Sequence, residues 1–143
     1  MNIYISGSSK EIERCEHWRD EVIKAGYFIS CDWMADVRAL GDDDAKLNDY
    51  RRLEEAMKDR LGVKNCDLFW LLLPETKGAG CFVELGMAIQ MNKPIIISGR
   101  ATRTIFEQLA SNNFALDEVA FENIRKWTGY FVQHGMINDD EKI

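Results

Sequence analysis

The sequence has little of what zinc sites and membrane spans require. Its 143 residues include only two histidines, and its four cysteines form no C-x-x-C pair: Cys15, Cys31, Cys66 and Cys81. These counts argue against a metal site and predict reduced thiols in a cytoplasmic protein. The longest apolar run, residues 68–73, is far shorter than the roughly 20 residues of a membrane span. We therefore expect neither a metal nor a membrane to take part in the function.

Basic residues are also few, since 18 lysines and arginines face 24 acidic residues and give a formal net charge of −6. General electrostatic binding of nucleic acid needs a basic face, so this charge argues against a nucleic-acid partner. We expect no signal peptide, because Met1 leads directly into Asn-Ile-Tyr-Ile-Ser-Gly. The hydrophobic share of 46% and the charged share of 29% are typical of one globular domain, which we expect to span residues 1–143.

Short apolar runs alternate with stretches of helical spacing. Strands are predicted at residues 3–5, 27–30, 68–73 and 95–97, and helices at 12–25, 45–64, 81–92 and 116–134. The run 68–73 has no polar alternation, which indicates a strand buried on both faces of a parallel sheet. The order predicts a doubly wound, flavodoxin-like or Rossmann-like α/β fold with four to five parallel strands and helices on both faces.

Two further features of the chain are predicted with the helices. Residues 31–44 contain Gly41 and three successive aspartates and are predicted to form an exposed loop. The helix that follows has an apolar side opposite a charged solvent face, and that apolar side carries Leu47, Leu53, Met57 and Leu61. Beyond Gly99 the pattern weakens until the last helix.

Ligands of an open parallel sheet bind beyond the carboxyl ends of its strands, at the switch point of the topology. This rule selects the loops at residues 7–10, 31–33 and 74–80. The run Gly78-Ala79-Gly80 before a helix offers backbone N–H groups to an anion, or it is a turn that needs glycine. It matches neither the P-loop nor the G-x-G-x-x-G fingerprint, so neither an ATPase nor a dinucleotide oxidoreductase is predicted.

Two acidic residues are candidates for chemistry in these loops and the helices beside them. Glu84 is expected in the first turn of its helix, where the helix dipole favours the ionised carboxylate. Such a carboxylate can attack a sugar carbon, or it can simply complement the dipole. Asp59 is expected near the end of its helix, where an acidic group is unfavourable. It is either functional or paired with Lys58 or Arg60.

Two aromatic residues are further candidates. Tyr4 lies on a predicted central strand and is either functional or a core tyrosine with a satisfied hydroxyl. Trp33 either stacks on a base or covers the end of the sheet.

Three sequence blocks resemble one enzyme family, the nucleoside 2-deoxyribosyltransferase superfamily, which includes 2′-deoxynucleoside 5′-monophosphate N-glycosidases and CMP hydrolases. The blocks are Y-I-S-G-S at 4–8, Asp59 eight residues before Asp67, and G-C-F-V-E-L-G-M-A at 80–88 followed by N-K-P-I at 92–95. The resemblance covers about residues 2–98, and its most specific part is the G-x-x-x-E-[LI]-G-x-A block.

The resemblance implies a role for each candidate residue. Glu84 would attack C1′ of the sugar, Asp59 would protonate or orient the leaving base, and Tyr4 would position the glutamate. The sugar or phosphate would be lined by Gly7, Ser8 and Gly80, and the base would lie near Trp33.

The 5′-phosphate is less well matched. Lys10 would pair with it, or is a solvated lysine at a helix start. The monophosphate hydrolases are expected to have a serine near the position of Gly78. Lys77 or backbone N–H groups would have to replace that contact.

The resemblance implies an enzyme without a cofactor. It would hydrolyse the N-glycosidic bond of nucleoside 5′-monophosphates, or exchange bases as a deoxyribosyltransferase. A non-catalytic nucleotide sensor and a NAD-glycohydrolase-like protein remain open as alternatives. The implied assembly is a homodimer or higher homo-oligomer with a shared site, to which Ser111 or Asn112 of a neighbouring subunit would contribute.

Overall fold

The computed structural model describes residues 1–41, 48–76, 78–100 and 104–133, with side chains up to residue 127. In these residues five strands form one sheet: β1 (Asn2–Ser6), β2 (Phe28–Ile29), β3 (Leu68–Leu72), β4 (Ile95–Ser98) and β5 (Asn112–Phe114). Their order across the sheet is β2-β1-β3-β4-β5, and every neighbouring pair is parallel. This is the flavodoxin-like strand order. Strand β2 is added on one side of β1 and strand β3 on the other, so the switch point of the topology lies between β1 and β3.

Five α-helices connect and cover the strands. They are α1 (Ile12–Lys24), α2 (Trp33–Leu40), α3 (Asp49–Asn65), α4 (Gly80–Gln90) and α5 (Asp117–Gln133). Helices α1 and α5 meet where Trp18 contacts Phe121, and α3 packs against α4. The predicted α/β fold, a doubly wound parallel sheet, is confirmed.

The central strand β3 is buried along its whole length, as its uninterrupted apolar run predicts. Its Trp70 stacks on Phe121 of α5, with ring centroids 6.3 Å apart. The preceding residue, Phe69, lies beside Tyr4 of β1 in the strand register, and their rings stack with centroids 5.6 Å apart. The first contact holds α5 on β3, and the second joins β1 to β3 and so helps to place the loops that leave their carboxyl ends.

The prediction of an exposed loop at 31–44 is wrong for its larger part, because residues 33–40 form α2. The side chain of Asp32 accepts a hydrogen bond from the backbone N–H of Ala35 and so caps the helix. Trp33 and Met34 are buried, and Gly41 ends the helix with φ of +59°, a value that favours glycine. The helix was not predicted because the three successive aspartates at 42–44 made the whole segment look polar. Those three residues lie outside the described residues.

The other differences concern the ends of elements and one strand. Helix α3 begins at Asp49, capped by Asn48, whereas the predicted start at residue 45 and Leu47 lie outside the described residues. Lys77 and residue 134 also lie outside them. Strand β5 was not predicted, because two of its three residues are exposed asparagines at the edge of the sheet.

The apolar side of α3 does not face the core. The exposed fractions of Leu53, Met57 and Leu61 are 59%, 54% and 55%, and the helix buries only Gly62 and Val63 near its end. Together with Tyr50 and Met91, these residues line a surface groove of about 600 Å³, which we call the α3 groove. The helical spacing was recognised correctly, but the side of the helix that packs on the sheet was not.

Candidate active site

A cavity of about 690 Å³ opens at the carboxyl ends of β1 and β3, the switch point of the sheet. Eight of the nine predicted site residues line it: Gly7, Ser8, Lys10, Trp33, Asp59, Gly78, Gly80 and Glu84. The ninth, Tyr4, lies beneath the cavity and contacts Glu84. Residues separated by up to 80 positions in sequence are therefore brought to one place.

Glu84 is held by two hydroxyl groups from β1. Tyr4 Oη donates a short hydrogen bond to Glu84 Oε2, and Ser6 Oγ donates to Oε1 at 2.7 Å. Tyr4 and Ser6 are two residues apart on the strand and so point to the same face of the sheet. Each carboxylate oxygen has one donor, which fixes the plane of the carboxyl group.

The electrostatics of Glu84 differ from the sequence-based expectation. Helix α4 begins at Gly80, so Glu84 is its fifth residue and lies beyond the first turn, where the dipole acts most strongly. Burial raises its pKa to about 7, and the hydrogen bonds from Tyr4 and Ser6 only partly oppose this effect. Burial and the nearby carboxylate also raise the pKa of Tyr4, so its hydroxyl stays protonated and remains a donor.

Asp59 lines the same cavity from α3 and is half-buried. Burial raises its pKa to about 6, although the thiol of Cys31 donates a hydrogen bond to Asp59 Oδ1 at 3.7 Å. The sequence-based alternative, a surface carboxylate paired with Lys58 or Arg60, does not describe this environment. The cavity thus contains two carboxyl groups whose pKa values both lie near neutrality.

The anion side of the cavity consists of small residues around one lysine. Ser8 is buried, and its Oγ accepts from the backbone N–H of the exposed Lys10. A Cβ at Gly78 would lie 3.1 Å from Ser8 Cβ and 3.2 Å from Pro74 Cγ. Gly78 therefore lets the loop pass close to Ser8, and a serine side chain at that position would be crowded.

Trp33 is the first residue of α2 and is only 8% exposed. Its indole Nε1 donates to the carbonyl oxygen of Ile5 at 2.7 Å. Trp33 therefore covers the end of the sheet, and its ring also forms part of the cavity wall. The two sequence-based alternatives for this residue do not exclude each other.

The loop after β3 is held by Glu11, a residue that the sequence analysis did not select. Its Oε2 accepts from the backbone N–H groups of Glu75 and Thr76 at 3.0 and 3.1 Å, and from Thr76 Oγ1 at 2.8 Å. Its Oε1 pairs with Arg14 Nη1 at 3.0 Å. These hydrogen bonds lower the pKa of Glu11 and fix the strand end that leads into Gly78.

A second polar cluster lies further along the carboxyl edge, around Asp117 of α5. Asp117 forms a two-point ion pair with Arg14, with distances of 2.8 and 2.9 Å, and accepts from Trp18 Nε1 and Ser98 Oγ. Against the opposing effect of burial, these partners lower its pKa. The cluster joins α1, α5 and β4.

Ser6 and Cys31 contact Glu84 and Asp59, and the sequence analysis assigned neither of them a role. The two-residue period of β1 could have identified Ser6, because it shares a face with Tyr4. Cys31 lies in the selected loop at 31–33, but its contact with Asp59 depends on the tertiary fold. Asn112 begins β5 and Ser111 precedes it at the opposite edge of the sheet, where Ser111 Oγ accepts from the backbone N–H of Ile95 at 3.2 Å.

Within the described ranges, no three histidine, cysteine or acidic side chains are grouped as a metal site would require. All four cysteines are free thiols. No helix in those ranges is both long and apolar enough to cross a membrane.

Comparisons with known proteins bear on the fold. No family model matches the chain, and a search of curated proteins found no match. Among solved structures, the CMP N-glycosidase BcmB of Clostridium botulinum matches with a TM-score of 0.53. The fold is similar to that of a CMP N-glycosidase. The match covers 90% of this chain and 99% of BcmB at 16% sequence identity. At this level of identity, the match shows that the two chains share a fold.

Proposed function

We propose that the protein hydrolyses the N-glycosidic bond of nucleoside 5′-monophosphates, with Glu84 as nucleophile and Asp59 as acid. The observation that carries this proposal is the joint placement of Glu84, its two hydroxyl donors and Asp59 around one cavity at the switch point. The fold similarity to a CMP N-glycosidase supports the reaction class.

In the first step, a carboxylate oxygen of Glu84 forms a bond to C1′ while the bond from C1′ to the base nitrogen breaks. Positive charge develops on the sugar in the transition state, as in other glycosidic cleavages that use two carboxyl groups. Tyr4 and Ser6 hold the attacking group in one orientation, which reduces the entropy lost on reaching the transition state.

Asp59 supplies the proton that the departing base nitrogen needs. Its raised pKa, about 6, keeps roughly a tenth of the Asp59 carboxyl protonated at pH 7, far more than an ordinary aspartate would hold. In the second step, water attacks C1′, its proton passes to Asp59, and the bond to Glu84 breaks. Both carboxyl groups return to their starting states, and the sugar phosphate is released.

The 5′-phosphate would lie against Lys10, Ser8 and the backbone N–H groups of residues 78–80. The backbone would supply the donors, since a serine side chain at Gly78 would be crowded by Ser8 and Pro74. A helix N-terminus, here that of α4, adds favourable charge for an anion.

The test is release of free base from ribo- and deoxyribonucleosides and their 5′-monophosphates, followed by chromatography. We expect turnover of monophosphates in water, and a loss of at least about a thousandfold in Glu84→Gln because the nucleophile is removed. Glu122→Gln is the matched control, since Glu122 is an exposed glutamate of α5 that forms a surface ion pair with Arg125.

Each other outcome of this assay has a distinct meaning. Products that form only when a second free base is added would indicate a deoxyribosyltransferase. Release of nicotinamide from NAD would indicate a NAD-glycohydrolase-like enzyme. Tight nucleotide binding without turnover, unchanged in Glu84→Gln, would contradict an enzyme and favour a nucleotide sensor.

We further propose that the protein is a homodimer in which a second copy covers the α3 groove. Four exposed apolar side chains line this groove: Tyr50, Leu53, Met57 and Leu61. An apolar patch of this kind on a globular protein is characteristic of an interaction surface. Because α3 also carries Asp59, association on this helix would bring the second copy close to the cavity.

Sedimentation of the Met57→Glu variant tests the assembly. We expect a dimer for the wild type and a monomer for the variant, because the new charge would be buried in the interface. Val119→Glu, which changes an apolar residue of α5 that is 48% exposed, should leave the dimer intact. A Met57→Glu variant that sediments like the wild type would contradict the proposed interface.

A further inference from the structure

The thiol of Cys31 lies against the carboxyl group that we assign as the acid. Cys31 Sγ is 3.7 Å from Asp59 Oδ1, a distance at which a thiol donates a hydrogen bond. Burial, followed by the charge of Asp59, raises the pKa of Cys31 to about 12, so the group remains S–H and remains a donor. The contact joins the end of β2 to the inner face of α3.

Close packing at Gly62 maintains this contact. A Cβ on Gly62 would lie 2.5 Å from Cys31 Cβ and 2.9 Å from Tyr4 Cε2, so the backbone of α3 rests directly on both side chains. Asp59 precedes Gly62 by three residues and therefore lies on the same side of the helix. The glycine thus sets both the distance and the rotation at which α3 presents Asp59 to Cys31.

We propose that Cys31 is a positioning residue for Asp59. Donation from the thiol occupies Oδ1 and leaves Oδ2 as the oxygen that holds the proton for the leaving base. This inference rests on the proposed function, because it assumes that Asp59 is the acid of that reaction.

The chemistry of sulfur suits this task. A thiol is a weak donor, so it orients a carboxyl group without strongly favouring the ionised form. A lysine or arginine in its place would keep Asp59 ionised and unable to give up a proton. The other charged or titratable groups around Asp59 come from β1, α2, α3 and α4: Tyr4, Asp36, Glu55, Lys58 and Glu84. Lys58 is already in contact with Asp36, Glu54 and Glu55 at 3.6–3.9 Å.

The first test compares two cysteine-to-alanine variants in the base-release assay. In Cys31→Ala we expect kcat to fall roughly tenfold with KM unchanged within about twofold, because a misplaced acid loses part of its contribution. Cys66→Ala is the matched control: this thiol is more deeply buried than that of Cys31, and it donates to the carbonyl oxygen of Val63 on the opposite edge of the sheet. Equal losses of kcat in the two variants would overturn the proposal.

The second test separates positioning from general damage to the fold. If Cys31 acts through Asp59, then Cys31→Ala should cost nothing further in an Asp59→Asn background. Independent, multiplicative losses in the double variant would overturn the proposal. Thermal unfolding of all variants at the assay pH shows whether each one is folded.

The third test does not require activity. Titration of the ¹³C-labelled Asp59 carboxyl by NMR should give a higher pKa in Cys31→Ala than in the wild type, because a donor to the carboxylate has been removed. A wild-type protein that releases no base would contradict the proposed function, and the titration would still decide the contact. An unchanged Asp59 pKa in Cys31→Ala would overturn the positioning role.

Discussion

Glu84 and Asp117 lie at the same edge of the sheet but in opposite electrostatic environments. Asp117 has an arginine as a two-point partner, and its pKa is lowered. Among the described residues, Glu84 is held by the hydroxyl groups of Tyr4 and Ser6 and by no cation, and burial raises its pKa to about 7. A paired carboxylate stabilises the fold, whereas a buried carboxylate without a cation keeps its reactivity at a cost in stability.

Among variants that test this comparison, we expect Asp117→Ala to change the free energy of unfolding most. The substitution removes the two-point partner of the partly buried Arg14, which keeps only Glu11 as an ion-pair partner in the described part of the chain, and it removes an acceptor from Trp18 and Ser98. We therefore expect a loss of about 3 kcal/mol in unfolding free energy. Urea unfolding measures this loss. Glu122→Ala, which breaks the exposed pair with Arg125, should change stability by no more than about 0.5 kcal/mol. Similar values for the two variants would contradict a structural role for the Asp117 cluster.

We expect Glu84→Gln to change the free energy of unfolding by a smaller amount and in the opposite direction, so that the variant is the more stable protein. The folded protein holds a proton on Glu84 up to about pH 7, whereas the ordinary pKa is 4.5, so the wild type should lose stability as pH rises from 5 to 8. The neutral glutamine lacks this penalty, and we expect the variant to be more stable than the wild type by about 2 kcal/mol at pH 8. The difference should be much smaller at pH 5.

Thermal unfolding of both proteins at the two pH values checks this prediction. Asp117 contributes in the other direction, because its lowered pKa means that stability is lost only as pH falls into the acid range. A Glu84→Gln variant that is less stable than the wild type at pH 8 would show that Glu84 contributes to the fold in the way that Asp117 does.

The smallest effect concerns the pH dependence of activity. Because Glu84 must be ionised and Asp59 protonated, kcat/KM should follow a narrow bell between the pKa values of the pair, about 6 and about 7. We expect a fall of about tenfold for each pH unit beyond either limb. The rate of base release measured from pH 4.5 to 9 tests this. A profile that is flat across this range would exclude two titrating carboxyl groups in the reaction.

Much of this site was predictable from the sequence, for physical reasons that particular residues illustrate. Strands β1, β3 and β4 are short apolar runs, so the alternation that defines the parallel sheet is visible without a structure. That sheet fixes where its strand ends meet, and the rule brings together residues as distant as Ser8 and Glu84. The resemblance of three sequence blocks to a known family then singled out Glu84 and Asp59 on the helices beside those loops.

The remainder depends on packing that no local pattern records. The apolar spacing of α3 predicts a helix, yet it gives no indication that Leu53, Met57 and Leu61 face away from the sheet. Cys31 becomes part of the site only because Gly62 allows α3 to approach it. The pKa of Glu84 follows from its burial, whereas sequence position alone indicated the stabilised anion of a first helical turn.

The most direct test of the central claim is the mass of the peptide that carries Glu84, taken from protein quenched during turnover. A 2′-fluorinated nucleoside 5′-monophosphate is the substrate of choice, because fluorine beside C1′ disfavours positive charge on the sugar and slows release of the intermediate. We predict that the peptide gains the mass of the fluorinated sugar phosphate, bound to Glu84. Base release with the sugar attached to Asp59 instead, or with an unmodified Glu84 peptide and full activity in Glu84→Gln, would contradict the account.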